Sequence, residues 1–250
     1  VVLSPGGDLA AVIRRNDANA VCQLIGLRNP TDPQVQRPEI VLDDSNEWVN
    51  ADDPFFSPDG SRIALVWHLT SRPGEPSRAR LGVWETATGR QIAVSDIGVT
   101  RRDTRQTGNR LAWSPDGNRI ALVDVVQGHP IIGIYDATTL RKVQTLDQPT
   151  SRKLTTSQES NYYHSISFSP NGARIATYVK SFLEVERGFI RMWDVATGNM
   201  VLEVPLGRVS GLTISGPPFV VFASDGRQLL YARQFVNQSS DRSGEEIRRH

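Results

Sequence analysis

Three histidines and a few scattered carboxylates are the groups in this sequence best suited to chemistry. His68, His129 and His164 could ligate a metal or move a proton, with Asp124, Glu184 and Glu186 as acidic companions. The histidines lie 61 and 35 residues apart, so no local ligand spacing groups them. Only a fold that gathers distant segments could make them converge, and ordinary surface histidines satisfy the same pattern. A Ser/Asp pair recurs in Ser-Pro-Asp-Gly, but those residue types serve turn geometry, and the acidic pairs Asp43-Asp44 and Asp52-Asp53 read as loop residues. The sequence contains no GxSxG elbow, HExxH pair, P-loop or GxGxxG fingerprint. It therefore nominates no catalytic residue, no cofactor and no metal ligand set.

Residues suited to recognition are easier to find. Trp48, Tyr162 and Tyr163 fall in polar stretches, His164 follows the tyrosine pair, and Arg101, Arg102 and Arg105 form a basic cluster. Trp, Tyr and Arg are the side chains that dominate interface hot spots, so these seven are the candidate partner-binding residues. The plainer alternative is that the aromatics pack on strand edges and the arginines are solvated. Of 28 basic residues only Lys142, Lys153 and Lys180 are lysines. This bias fits a GC-rich genome, and it also fits an interface built on planar bidentate donors. Tyrosines beside arginines resemble a base-stacking platform, but 28 basic against 27 acidic residues give a net charge of +1, which offers nucleic acid no long-range attraction.

Cys22 is the only cysteine, which excludes an intrachain disulfide and favours a reducing, cytoplasmic setting. No apolar run has the length of a membrane-spanning helix. The chain starts at Val1 inside a strand-like run, with neither an initiator Met nor a signal peptide, so further sequence upstream is expected.

The elements that position these residues come from a repeat. Ser4-Pro5-Gly6-Gly7, Ser57-Pro58-Asp59-Gly60, Ser114-Pro115-Asp116-Gly117, Ser169-Pro170-Asn171-Gly172 and a decayed Ala223-Ser224-Asp225-Gly226 recur at steps of 53, 57, 55 and 54 residues. A large apolar residue precedes each turn (Leu3, Phe56, Trp113, Phe168, Phe222) and a run of β-formers follows it, at 9–13, 63–67, 120–126, 175–179 and 229–231. Strand, Pro/Asp/Gly turn and strand make a hairpin. A second hairpin follows in three units, marked by Trp84-Glu85, Tyr135-Asp136 and Trp193-Asp194 before the turns at 86–89, 137–140 and 195–198. The first unit carries a blurred version around 21–27 and then a Pro-rich stretch, and the fifth loses its second hairpin. Four short strands per repeat without helical periodicity predict an all-β propeller of four-stranded antiparallel blades.

Residues 168–176, Phe-Ser-Pro-Asn-Gly-x-x-Ile-Ala, and 190–198, Ile-x-x-Trp-Asp-x-x-Thr-Gly, resemble the WD40 repeat, and the resemblance extends over nearly the whole chain. The Gly-His pair that precedes the first strand in that family is absent from every unit, which removes the histidine network it anchors. The repeats are also longer than the forty-odd residues of the family, so the likeness is to WD40-like propellers. It implies a scaffold or sensor module that binds proteins. Blades are expected to start near residues 1, 54, 111, 166 and 220, with a propeller over 1–236 and a polar tail over 237–250. About four and a half blades are present, and an open arc leaves unpaired strand edges, so a larger ring, seven-bladed, is expected.

With the strands of each blade lettered A to D, the short and nearly constant A–B and C–D turns share one face. The extra length lies in the B–C loops (68–80, 127–130, 180–188) and the D–A loops (29–53, 95–109, 147–164, 205–216), on the other face. Variable loops on a rigid scaffold carry function. The expected activity is therefore non-catalytic protein–protein interaction through that loop face, and a place as a subunit within a larger assembly is a further expectation. A propeller enzyme, hydrolytic or metal-dependent, using the loop-face His and carboxylate groups is the alternative.

Overall fold

The computed structural model describes residues 1–15, 20–27, 38–42, 48–70, 77–100, 110–126, 129–146, 161–181, 188–206, 212–214, 219–232 and 235–237. The chain divides into two compact units, Val1–Thr104 with Leu111–Asp147, and Arg105–Arg110 with Gln148–His250.

The first unit contains three antiparallel blades. Blade 1 runs β1 (Val2–Leu3), β2 (Leu9–Arg15), β3 (Ala20–Gly26) and β4 (Glu39–Val41) in that order across the sheet. Blade 2 has β5 (Trp48–Ala51) and β6 (Phe55–Phe56), which both pair with β7 (Arg62–Thr70), and then β8 (Ser77–Glu85) and β9 (Gln91–Thr100). Blade 3 is β10 (Leu111–Trp113), β11 (Arg119–Val126), β12 (His129–Asp136) and β13 (Lys142–Leu146). The second unit holds blade 4, β14 (Asn161–Phe168), β15 (Arg174–Ser181), β16 (Gly188–Asp194) and β17 (Met200–Leu206). Its fifth hairpin has both strands interrupted: β18 (Leu212–Ile214) pairs with β21 (Phe235–Asn237), and β19 (Phe219–Phe222) pairs with β20 (Leu229–Ala232).

Blade 1 is thus a full four-stranded sheet, although its second hairpin is blurred in the sequence. The stretch 29–53, expected as a loop, contains β4 and β5. Ile40 and Val49 are β-formers, and Ile40 is buried, so a three- or four-residue strand survives among polar neighbours.

The A–B turns share one set of hydrogen bonds. The Ser57 hydroxyl oxygen accepts from the backbone N–H of Arg62 at 2.9 Å, and the hydroxyl donates to Asp59 Oδ1 at 2.5 Å. Ser114 does the same with Arg119 and Asp116, and Ser169 with Arg174 and Asn171. Gly6 leaves the first turn without that carboxylate, and Asp8 takes its place on the Ser4 hydroxyl. Ala223 has no hydroxyl, so the fifth turn keeps its backbone bonds and the Arg227 N–H donated to Asp225 but loses the serine bonds. The closing glycines all have φ near +70°, a region L residues avoid. At Gly117 a Cβ would also lie 2.9 Å from Arg62 Nη2, which donates to the Gly117 carbonyl and whose guanidinium lies over the Trp113 ring.

The C–D turns are held by the acidic member of each aromatic-acidic pair. Asp136 accepts from Thr138 N and Thr139 N, Asp194 accepts from Thr197 N, and Glu85 accepts from the Thr88 hydroxyl and pairs with Arg90. Backbone bonds then tie the two turns of a blade together: Thr86 N to Ser61 O, Ala137 N to Asn118 O and Val195 N to Ala173 O. Leu140 occupies the left-handed position that Gly89 and Gly198 take elsewhere, at φ 53°. Its side chain is buried in the core shared by blades 2 and 3, which outweighs the roughly 1–2 kcal/mol cost of that backbone state.

Both faces of a central blade are covered, so β7 is apolar almost throughout instead of alternating. Ile63, Leu65, Trp67 and Leu69 join a core with Ala11, Leu24 and Ile40 of blade 1. Ala64 and Val66 join one with Leu111, Trp113 and Ile120 of blade 3. In the second unit Ala176, Tyr178 and Ile190 of blade 4 pack with Val220, Phe222 and Leu229 of the fifth hairpin.

Three outcomes follow from the turns and the core. Ser114→Ala is expected to cost about 1–2 kcal/mol, because it leaves the Arg119 N–H and Asp116 without the hydroxyl, read as a lower urea midpoint. Leu140→Gly relieves the backbone but empties a core site, so it is expected to destabilise by about 1–3 kcal/mol rather than stabilise. Asp59 is held down to about 2, first by the Ser57 hydroxyl, and Asp116, Asp136 and Asp194 are held below the usual range by their turn donors. Depressed carboxyls stabilise the fold above their unfolded values, and that stability is lost as protons rebind. An acid titration followed by circular dichroism should therefore show stability falling from about pH 4 towards pH 2.

Candidate interaction surface

The strands reach further towards the loop face than the polar composition suggests. Trp48 opens β5, paired with Thr70, and Asn50 pairs with His68. Tyr162 pairs with Lys180 and Tyr163 with Val179 at the start of β14. The ladder then moves to Ser165 opposite Tyr178, so His164 is the extra residue of a bulge, a device that re-aims side chains at strand ends. His129 opens β12 opposite Val126. Trp48, Tyr162, Tyr163 and His164 therefore lie in strands, not in the polar loops expected for them, at the loop-face ends of blades 2 and 4. Tyr and Trp suit an extended ladder, and composition alone hides this where the neighbours are polar. Arg101, Arg102, Arg105, Glu184 and Glu186 lie outside the described residues.

Two polar constellations occur inside the first unit. His68, buried near the end of β7, has Nε2 3.7 Å from Asp52 Oδ1, in the break between β5 and β6. This pair could orient an imidazole, yet among the described residues no group of three His, Cys, Asp or Glu could hold a metal. Asp124, expected near the loop face as a companion of the histidines, is a buried structural group. Its Oδ2 accepts from Tyr135 Oη at 2.8 Å and from Lys142 Nζ at 2.6 Å, and the ammonium lies 5.4 Å from the centre of the Tyr135 ring. Burial, and then the Asp124 charge, push the Tyr135 phenol far above its ordinary value, so it serves as a donor and not a base. The cluster lines a groove of about 370 Å³ between blades 2 and 3, with Ser95, Asp96 and Ile97 on the opposite wall. Cys22 is fully buried, and desolvation raises its thiol to about 12, which leaves it inert.

On the turn face, Ser114, Ser169, Asp194 and Thr197 bond within their own turns, and Arg90 is engaged by Glu85.

No family model matches the chain. An uncharacterized peptidase, YuxL, of Bacillus subtilis (strain 168) is 30% identical over 89 residues, which are 36% of this chain and 12% of that protein. The β-propeller domain of Cps50 (Swd1) from Myceliophteria thermophila superposes with a TM-score of 0.60 at 14% identity, covering 98% of this chain and 67% of that one. The fold is a β-propeller. Kuenenia stuttgartiensis hydrazine synthase is a second structural neighbour, with a TM-score of 0.53 at 16% identity over 96% of this chain and 71% of that one. At these identities the likeness is one of propeller architecture. One of these two neighbours is a synthase and the other a β-propeller domain.

The sequence carries a signal for the Asp124 cluster. A carboxylate inside the apolar run 120–126 requires a buried donor, and one of only three lysines, Lys142, sits just beyond the C–D turn of the same blade. Lys142→Met removes the cationic partner and is expected to cost about 3 kcal/mol. The double variant Asp124→Asn/Lys142→Met should recover most of that loss, both read as thermal midpoints.

Proposed function

We propose that this chain is a WD40-like propeller acting in the cytoplasm as a non-catalytic protein-interaction module of a larger protein or complex. It binds through the face of B–C and D–A loops. The observation that carries this reading is the asymmetry between the two faces. The turn face repeats one self-satisfied set of hydrogen bonds, whereas the strand ends at the loop face carry Trp48, Tyr162, Tyr163 and the bulged His164. Aromatic residues at strand ends beneath variable loops suit a hot-spot surface, to which Arg101, Arg102 and Arg105 would add charge. The diversion of Asp124 into a structural pair also leaves the histidines with fewer acidic companions.

The second reading, a propeller enzyme, rests on the His68–Asp52 pair. One experiment separates the two. Affinity purification with quantitative mass spectrometry compares the wild type, a Tyr162→Ala/Tyr163→Ala variant and the turn-face variant Arg227→Ala. The interaction reading expects a reproducible partner that falls at least tenfold in the first variant and is unchanged in the second. Small-molecule turnover abolished by His68→Ala, with no partner captured, would overturn it.

A further inference from the structure

The Trp67 indole lacks a partner that its chemistry requires. An indole N–H can only donate, and Trp67 Nε1 is buried with no acceptor, in a residue that is 1% exposed. Buried polar groups are almost always paired, so an orphan of this kind calls for an explanation. The first unit meets the same need elsewhere. Trp113 Nε1 donates to the Phe55 carbonyl at 3.0 Å. Asp124 holds in β11 the place that Trp67 holds in β7, each four residues after an isoleucine, and its own blade pairs it with Tyr135 and Lys142. No described residue does this for Trp67.

Trp67 lines a groove of about 530 Å³ where blade 1 meets blade 2. Both blades belong to the first unit and share the core that contains Trp67, so contacts inside that unit shape the groove. Small-ligand sites commonly measure about 300–1,000 Å³. Val41 and Leu42 form an apolar wall on blade 1, which Val94 continues on blade 2. Trp67, Arg80 and Asp96 are successive register partners across β7, β8 and β9, so they stand in one row on one face of the blade. The row offers a donor, a cation and a carboxylate in that order. Arg80 Nε lies 3.0 Å from Asp96 Oδ1, with side chains 31% and 74% exposed. A pair this open to water is worth at most about 1 kcal/mol. It can exchange partners at little cost, and the flexible Arg80 stem can turn to uncover the indole.

We propose that this groove binds a free α-amino acid with an aliphatic side chain. Its carboxylate accepts from Trp67 Nε1 and from the Arg80 guanidinium, its ammonium pairs with Asp96, and its side chain lies against Val41, Leu42 and Val94. The zwitterion exchanges one ion pair for two, so no uncompensated charge enters the groove. An anion alone would meet the Asp96 carboxylate, and a cation alone would leave the indole without an acceptor. The site is separate from the loop face and independent of that reading.

The test titrates L-leucine into the isotope-labelled 250-residue chain and follows its five indole N–H resonances, that of Trp67 being the one lost in Trp67→Phe. Leucine is expected to move the Trp67 resonance downfield and saturably, with a Kd below about 1 mM. Asp96→Asn, at an exposed position, should weaken leucine at least tenfold and leave isocaproate, which lacks the ammonium, no weaker than in the wild type. Leucinamide, which lacks the carboxylate, should bind the wild type at least tenfold more weakly than leucine. A Trp67 resonance unmoved at about 10 mM leucine, leucine affinity unchanged in Asp96→Asn, or leucinamide bound as tightly as leucine would each overturn the proposal.

Discussion

The serine hydroxyl at four of the five A–B turns is the interaction on which the rest of this structure depends. It accepts the N–H five residues on, at 2.9 Å in three of the turns, and it donates to an acidic or amide side chain two residues on. One side chain thereby fixes the turn length, the left-handed glycine and the register of the strand that follows. Register matters because a slip of one residue would send the apolar set to the wrong face. Proline adds a second function: Pro5, Pro58 and Pro170 each lie close to the glycine of the next turn in their own unit.

Once the strands are in phase, the blades stabilise one another. The aromatic of each second hairpin, Trp84, Tyr135 or Trp193, is buried on its blade. In blades 2 and 3 its ring folds across the glycine two residues earlier, Gly82 or Gly133, where a Cβ would collide with it. Blade 4 has Arg191 at that place, and its guanidinium pairs with Glu203 at 2.7 Å across the ladder. The same scaffold position is thus filled by glycine under a ring or by a buried arginine paired with an exposed glutamate, as the space requires.

The fold was legible because its signals are local. Ser-Pro-Asp-Gly and Trp-Asp-x-x-Thr-Gly state their own geometry, and their spacing gives the blade. Strand lengths were less legible. Tyr162 and Tyr163 sit in a ladder beside the polar Asn161 and His164, and Asn50 pairs with His68, since backbone pairing at a blade end asks little of the side chains. The pairing of His68 with Asp52 was hidden because it joins two segments through a break in the A strand. The Asp124 cluster was hidden because its three members lie in three different strands. Charge on a β-strand declares a partner without naming it.

The account places structure on one face and recognition on the other. Site-specific photocrosslinking tests that division most directly, with a photoreactive residue introduced at Tyr162 in one sample and at Arg227 in another. The account predicts a discrete protein adduct from Tyr162 and none from Arg227. An adduct formed only from Arg227 would contradict it.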